Sequence, residues 1–219
     1  MTVNRLLVLG GTGAVGSAVL KQALADNTIA EVIAPTRRPL PPHPKLSNPQ
    51  LDFANLPPHF KDANVDLQIA LSCDAVICAL GATRKQAGSR EAFAAVDKTL
   101  VIALAQLARS GGASVFALNS SLGASPKGSF YLRIKFEVEQ AILSLGFEHT
   151  IIVRPSLIDT DRAGSRPLEH LGLMLFRVTK PLIPRRFRAV TPEAIARALI
   201  NGISSKTHKA LIVESENIN

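Results

Sequence analysis

A tyrosine and a lysine that could move a proton lie four residues apart in the second half of the chain. Tyr131 is the only tyrosine, and the spacing to Lys135 places both side chains on one face of a helix. A phenol with a pKa of about 10 is a poor acid or base at neutral pH, but a nearby cation favours its phenolate. The pair could therefore serve general acid–base catalysis, although the same spacing also occurs by chance on helix surfaces.

The position of this pair in the chain is more informative than its spacing. The stretch ASVFALNSS at 113 to 121 has the apolar core of a β-strand and ends in Ser120 and Ser121, ten residues before Tyr131. Ligands bind open α/β sheets at the carboxyl ends of their strands. The tyrosine and lysine thus follow a serine-ended strand, at the edge where a ligand is expected.

Three glycines near the start of the chain predict a nucleotide-binding turn. An apolar run from Leu6 to Leu9 leads into Gly10, Gly13 and Gly16, which we interpret as a strand, a tight turn and a helix beginning at Ala14. Glycine permits backbone conformations that a Cβ resists, and the free N–H groups at a helix start can hold a phosphate. Glycines also collect in surface loops, but the flanking strand and helix favour a dinucleotide site.

Two arginines at the end of the second predicted strand, AEVIAPTRR at 30 to 38, indicate which dinucleotide binds. In an NAD site an acidic side chain about 20 residues beyond the glycines holds the ribose 2′-hydroxyl, whereas an arginine accommodates a 2′-phosphate. Arg37 and Arg38 occupy this place and no acid accompanies them. The sequence therefore predicts NADP as the cofactor, with two solvated surface arginines as the alternative.

Strands and helices alternate along the rest of the chain, which predicts an α/β fold with a doubly wound, mostly parallel sheet of the Rossmann type. We expect a single domain over 1–219 with a short substrate-side cap at roughly 156–190. The proline-rich stretch 39–49 is interpreted as an extended surface connection, and Gly202 as the end of the last helix. The predicted strands after the first two lie at 51–53, 75–81, 113–121, 149–155 and 210–213, and the predicted helices after the first at 91–108, 131–145 and 191–202.

The composition argues against other classes of function. The formal net charge is +8, but much of the excess lies in 154–188, where aromatic residues for base stacking are few, so a solvated basic face or a pocket for an anionic ligand is favoured over a nucleic-acid groove. Apolar runs stay below the roughly 18 residues that a membrane span needs, and no leader is recognised, so we expect a cytoplasmic protein. Cys73 and Cys78 are interpreted as buried free thiols, and the scattered histidines predict no metal site.

Together these motifs resemble the atypical short-chain dehydrogenases/reductases, especially the Tat-interacting-protein/CC3-like group of NADP-binding oxidoreductases. The resemblance runs from residue 5 to about 200. It rests on GGTGAVG, TRR, CALGATRKQAG, NSSLGA, YLRIK, RPSLI and the later SRP.

The resemblance implies roles for individual residues. Tyr131 is the implied general acid/base, Lys135 binds the nicotinamide ribose and lowers the tyrosine pKa, and Ser121, rather than Ser120, holds the substrate carbonyl. Asp97 stands where many members have a helix asparagine, which leaves the water-linked proton relay of the family in doubt. The cofactor-binding candidates are Gly10, Thr12, Gly13, Ala14, Val15, Gly16, Arg37, Arg38, Asp52, Phe53, Leu80, Gly81, Ala82, Thr83, Tyr131, Lys135 and Pro155.

The expected activity is hydride transfer between NADPH and a carbonyl of a small-molecule substrate, and the basic residues of the expected cap favour a substrate with an anionic or polar group. The alternative is an NADP(H)-binding regulator or redox sensor with little or no turnover. We expect no nucleic-acid or membrane partner, and either a monomer or a homodimer.

Overall fold

The structure, a computed structural model, describes residues 3–51, 71–81, 88–159, 184–205 and 209–218. Its strands are β1 (Val3–Leu9), β2 (Ile29–Ile33), β3 (Leu46–Ser47), β4 (Ala75–Cys78), β5 (Val115–Asn119), β6 (His149–Arg154) and β7 (Ala210–Glu214). Its helices are α1 (Ala14–Ala25), α2 (Arg90–Ala94), α3 (Val101–Ser110), α4 (Phe130–Ser144) and α5 (Pro192–Ser204). A π-helical segment, Ala95–Leu100, joins α2 to α3.

The seven strands form one parallel sheet in the order β3-β2-β1-β4-β5-β6-β7. The order reverses direction at β1, between β2 and β4, so the connections on the two sides lead to opposite ends of the sheet. Doubly wound sheets bind ligands at this reversal, outside the carboxyl ends of the strands. The predicted fold class is therefore confirmed.

Helices cover both faces of the sheet, which is why the central strands are continuous apolar runs. On one face α1 and α5 pack through Val19, Ile195 and Leu199. On the other face α3 and α4 pack through Leu104 and Ile142. The two helix layers leave the carboxyl edge of the sheet to the loops that follow the strands, and the described candidate residues lie on these loops or near the N-terminal ends of α1 and α4.

The third strand is not where the sequence placed it. β3 is Leu46–Ser47, paired with Val32 and Ile33 of β2, and so it lies inside the stretch 39–49 that we predicted to be a surface connection. Prolines at 44 and 49 flank it, and one further parallel bridge, between Thr36 and Gln50, lies beyond the second proline. Leu51 lies outside any strand, and Asp52 and Phe53 lie outside the described residues.

Gly202 does not end the last helix, which continues to Ser204. A Cβ on Gly202 would lie 2.8 Å from Ile151 Cγ2, so this glycine allows α5 to approach β6 closely. The start of α5 agrees with the prediction: Thr191 accepts a hydrogen bond from Ala194 N at 3.2 Å and Pro192 occupies the first turn. Gly111 follows the end of α3.

Most of the expected cap lies outside the described residues. Its two described ends are joined by a parallel bridge between Ile158 and Val190.

None of the helices in the described parts of the chain is long and apolar enough to cross a membrane.

Candidate functional site

The glycine turn between β1 and α1 is shaped by close backbone approaches. Gly10 has a φ of 86°, and a Cβ on it would lie 2.7 Å from the Ala79 carbonyl carbon. A Cβ on Gly16 would lie 1.9 Å from Gly10 O, so a side chain fits at neither position. These two glycines let the turn fold back onto its own helix and onto the end of β4.

The first turn of α1 is open to a ligand. Gly13 is its N-cap and no side chain caps the helix. An anion could therefore accept hydrogen bonds from the N–H groups there. Thr12, Gly13 and Ala14 are exposed, whereas the Val15 side chain is buried in the core. This backbone cradle fits the phosphates of a dinucleotide. The turn itself contains no cationic side chain, so main-chain N–H groups would make the contacts.

The predicted arginines lie beside this turn. A Cβ on Gly11 would lie 3.8 Å from Ala34 Cβ, which shows that the end of β2 adjoins the glycine turn. Arg37 and Arg38 follow it and are exposed, and neither guanidinium forms an ion pair with any residue that the structure describes. Two exposed positive charges therefore follow the strand end that adjoins the glycine turn.

The end of β4 connects the glycine turn to the lysine. Leu80 N would lie 2.8 Å from a Cβ on Gly10. A Cβ on Gly81 would lie 3.5 Å from Asp97 Oδ1 and 3.8 Å from Lys135 Nζ. Leu80 and Gly81 thus run past both groups of candidate residues, while Ala82 and Thr83 lie outside the described part of the chain.

Tyr131 and Lys135 share one face of α4, as the spacing predicted. Lys135 Nζ lies 5.7 Å from the centre of the half-buried Tyr131 ring. The ammonium also donates to Asp97 Oδ1 at 2.8 Å, and the two side chains are 8% and 1% exposed. Burial alone would lower the pKa of Lys135, but the Asp97 carboxylate and Tyr131 outweigh it, and the pKa is raised above its usual value. Lys135 is held as a buried cation beside the phenol.

Two residues four positions apart, one on α2 and one on the π-helical segment, contact the tyrosine and the lysine of α4. Phe93 of α2 packs on the Tyr131 ring with centroids 5.7 Å apart, and Asp97, four residues later, binds Lys135. Asp97 lies in the π-helical segment, a feature that is frequent at functional sites. At the position where the family pattern has an asparagine, this chain thus forms a direct ion pair.

The two serines after β5 have different surroundings. Ser120 is buried, and its hydroxyl donates to Glu139 Oε1 at 2.5 Å. Ser121 is half-buried, and its hydroxyl makes only a long contact of 3.4 Å with Leu122 O. Ser120 is thus engaged inside the protein, and Ser121 is the serine that could bind a substrate.

Glu139 is a residue of this region that the sequence analysis missed. It is fully buried on α4 and accepts from Arg154 Nε at 3.0 Å and Nη2 at 2.6 Å. Arg154 also donates to Glu214 Oε1 at 2.8 Å, and its hydrogen bonds to both carboxylates raise its pKa. The cluster joins α4 to the ends of β5, β6 and β7. Its sequence signal is weak: Glu139 lies four residues beyond Lys135, on the same helix face.

The residues after β6 complete the carboxyl edge of the sheet. Pro155 is buried, and its carbonyl accepts from Leu122 N at 2.8 Å, so the strand end is tied to the serine loop. Ser156 N donates to Ser215 Oγ at 3.1 Å. A cavity of about 450 Å³ adjoins this point, lined by Arg185, Arg188, Ala189, Val190, Thr191, Ala194, Ser215, Glu216 and Ile218.

One buried polar atom at this edge has no partner among the described residues. It is Asn119 Oδ1, at the end of β5, and a buried unpaired acceptor is costly unless a ligand or water supplies a donor. The backbone cradle, the paired ammonium and this acceptor all lie along the ends of β1, β4 and β5, which fits an extended dinucleotide.

The cysteines lie in the core and not in this site. Cys73 and Cys78 are free and buried, as predicted. Desolvation raises their pKa values to about 12 and about 11, respectively, so both thiols stay protonated and unreactive at neutral pH. No group of metal-ligating side chains occurs within the described ranges.

Comparison of the sequence with known proteins finds one matching family and several relatives. A family model described as NAD(P)H-binding matches residues 10–179. Protein HTATIP2 of Rattus norvegicus is 32% identical over 213 residues, covering 94% of this chain and 83% of that protein. Protein fmp52, mitochondrial, of Aspergillus niger is 36% identical over 165 residues, covering 74% of this chain and 70% of that protein. The fungal relative's name gives no support to the cytoplasmic location expected from the sequence.

Solved structures show the same fold at low sequence identity. The Bordetella bronchiseptica enzyme WbmH, in complex with NAD+, has a TM-score of 0.70 and 17% identity, covering 97% of this chain and 76% of that one. A short chain dehydrogenase family protein from Francisella tularensis has a TM-score of 0.66 and 18% identity, covering 99% of both chains. These likenesses confirm the Rossmann-type fold, and the family model and the rat relative confirm the resemblance to NAD(P)-binding proteins.

Proposed function

This chain belongs to the NAD(P)H-binding family, and we propose that it is an NADP-dependent oxidoreductase that reduces a carbonyl of a small-molecule substrate. The observation that carries the proposal is the buried ammonium of Lys135, which lies 5.7 Å from the Tyr131 ring and 2.8 Å from Asp97. Burying a charge is costly, and a structural role would be served more cheaply by an apolar side chain. A cation kept beside the only phenol of the chain favours proton transfer at that phenol.

The choice of NADP over NAD rests on Arg37 and Arg38. Both are exposed beside the glycine turn and make no ion pair within the described residues. A 2′-phosphate would give them the partner they lack, since guanidinium groups bind phosphates through two parallel hydrogen bonds. The first turn of α1 would hold the diphosphate through main-chain N–H groups.

When bound, the cofactor would supply the hydride that reduces the carbonyl carbon. The chain supplies the remaining parts of the reaction. Ser121 would donate a hydrogen bond to the carbonyl oxygen, and Tyr131 would deliver the proton that turns this oxygen into a hydroxyl. Lys135 would stabilise the resulting phenolate until it is reprotonated, and its N–H groups not used by Asp97 could bind the cofactor ribose.

The basic cavity beside Ser215 suggests the substrate class. Arg185 and Arg188 line it against one acid, Glu216, so its lining carries a net positive charge. Ser215 bonds to the segment after β6, which is tied to the serine loop through Pro155. A substrate with a carboxylate or phosphate group would complement this charge.

A test is NADPH oxidation with a panel of aldehydes and ketones, half of which carry a carboxylate or phosphate. Replacing Tyr131 by Phe removes the hydroxyl and keeps the ring on Phe93, so we expect NADPH affinity to stay and kcat to fall by roughly 10²–10⁴-fold. Unchanged turnover in this variant would remove Tyr131 from the mechanism. NADPH binding without turnover on any panel member would instead favour the regulator or redox sensor.

A further inference from the structure

One side chain ties together both ends of the turn that carries the two arginines. Asn48 Nδ2 donates to Ala34 O at 2.5 Å and to Thr36 Oγ1 at 2.8 Å. Asn48 Oδ1 accepts from Leu40 N at 2.8 Å. Ala34 stands before the arginines and Leu40 after them, so Asn48 closes the turn 34–40 from the side of β3.

The Thr36 hydroxyl extends this hydrogen-bond network to the main chain of Arg38. Thr36 is buried, and its Oγ1 accepts from Asn48 and donates to Arg38 O at 2.6 Å. The main chain of Arg38 is therefore fixed through a relay of two side chains. The guanidinium groups of Arg37 and Arg38 are left in solvent, without an ion pair among the described residues.

The chemistry of the partners explains why position 48 holds an asparagine. A backbone carbonyl can only accept and a backbone N–H can only donate, so the side chain must offer a donor to Ala34 O and an acceptor to Leu40 N. An aspartate would lose the donor, and an aliphatic residue would lose both. This requirement also fixes which side-chain atom is nitrogen and which is oxygen.

We propose that Asn48 is a positioning residue for cofactor selection, which fixes the turn 34–40 so that Arg37 and Arg38 meet the 2′-phosphate of NADP. The inference rests on the proposed function, since it assumes that NADP is the preferred cofactor. Asn48 acts through the arginines: a turn that is already ordered spares the cofactor the free energy of ordering it. NADH has no phosphate at that position, so its binding does not depend on the turn.

The turn can be loosened without undoing the sheet. Thr36 N donates to Pro49 O at 3.1 Å and Leu51 N donates to Thr36 O at 3.0 Å, and these main-chain bonds do not involve the Asn48 side chain. The pairing of β3 with β2 is likewise made by main-chain groups. Asn48→Ala should therefore keep its fold and lose order only between Thr36 and Leu40.

The test is a pair of fluorescence titrations, with NADPH and with NADH, on wild type, Asn48→Ala and Thr36→Val. We expect Asn48→Ala to weaken NADPH binding about tenfold and Thr36→Val to weaken it less, with NADH affinity unchanged within about twofold. Asn27→Ala is the matched control, because Asn27 is exposed and its side chain makes no hydrogen bond with any residue that the structure describes. It should leave both affinities unchanged.

The outcomes separate this inference from the proposed function. If wild type prefers NADPH and both variants, folded by circular dichroism, keep the same ratio of affinities, the role of Asn48 is refuted. An equal loss for NADPH and NADH refutes it as well, because that pattern means general damage to the site. If wild type itself shows no preference for NADPH, the proposed NADP specificity fails, and the inference fails with it. Should Asn48→Ala not fold, Thr36→Val decides alone, since valine keeps the shape of threonine.

Discussion

At the nucleotide end of the proposed site the chain presents main-chain N–H groups and two exposed arginines, whereas at the α4 end it presents charges that are already paired in the interior. No side chain caps α1, but Lys135 is bound by Asp97 and Arg154 by Glu139. The nucleotide end is thus completed by its ligand, and the α4 end is organised before any ligand binds.

This contrast has a physical reason. A phosphate brings its own charge, so a cradle of N–H groups and arginines gains most when it meets the ligand unpaired. A proton-transferring phenol needs a fixed electrostatic environment, and preorganised charges supply it without rearrangement during the reaction. Substitutions at the α4 end should therefore change the apo-protein, and substitutions at the nucleotide end should change binding.

The largest effect is expected for Glu139→Ala. It leaves the Arg154 guanidinium without its main partner and Ser120 without its acceptor. Removing one member of a buried pair costs about 3–5 kcal/mol of the free energy of unfolding, measured by urea denaturation. Glu137→Ala is the control on the same helix: its pair with Lys98 is exposed and should contribute less than about 1 kcal/mol. Equal losses in the two variants would contradict the contrast between buried and exposed pairs.

The next effect is expected at the glycine turn. A Cβ on Gly16 would lie 1.9 Å from Gly10 O, whereas one on Gly13 would lie 3.4 Å from the same atom. Gly16→Ala must displace the backbone of the proposed phosphate site, and we expect NADPH affinity to fall by about 100-fold, or about 2.7 kcal/mol. Gly13→Ala should perturb the apo turn much less, as judged by thermal unfolding. A Gly16→Ala protein that binds NADPH normally would show that the turn does not hold the cofactor.

The fold could be predicted from the sequence to a large extent, because its signals are local. The glycine turn, the continuous apolar strands and the cap of α5 at Thr191 each depend on a few consecutive residues. The misplaced third strand is an exception: only pairing with β2 distinguishes Leu46–Ser47 from the rest of a proline-rich connection. Gly202 is another, since the close approach to Ile151 comes from helix packing and leaves no pattern near Gly202.

For the site, the sequence identified the residues with distinctive chemistry but not the residues that hold them. Tyr131 and Lys135 are found by spacing, and Arg37 and Arg38 by their distance from the glycines. Glu139 was missed because its hydrogen-bond partners lie 15 and 19 residues away in the sequence, at the ends of β6 and β5. The hydrogen bonds of Asn48 also join separate segments, and ordinary polar residues give no sign of such contacts.

A smaller effect, which depends on pH, is expected for Asp97→Asn. In wild type the pKa of Lys135 is raised, despite the opposing effect of burial, so the ammonium persists until the pH passes that raised value. Without the carboxylate, burial is no longer outweighed and the lysine loses its proton at lower pH. On the alkaline side we expect kcat of the variant to decline at a lower pH than kcat of wild type. At a pH where wild type is still active, kcat of the variant should be about tenfold lower, which corresponds to about 1.4 kcal/mol. The control variant Glu137→Gln should leave the pH profile of kcat unchanged. An unchanged profile in Asp97→Asn would contradict the claim that Asp97 keeps Lys135 charged.

The central claim, that this chain holds a site for NADP, is tested most directly by titrating the apo-protein with NADPH and with NADH. Nicotinamide fluorescence is suitable, because the chain contains no tryptophan. We expect NADPH to bind at least about tenfold more tightly, a difference of about 1.4 kcal/mol, and the double variant Arg37→Ala/Arg38→Ala to lose that preference while retaining NADH affinity. Equal affinities in wild type, or a preference that survives loss of both arginines, would contradict the account.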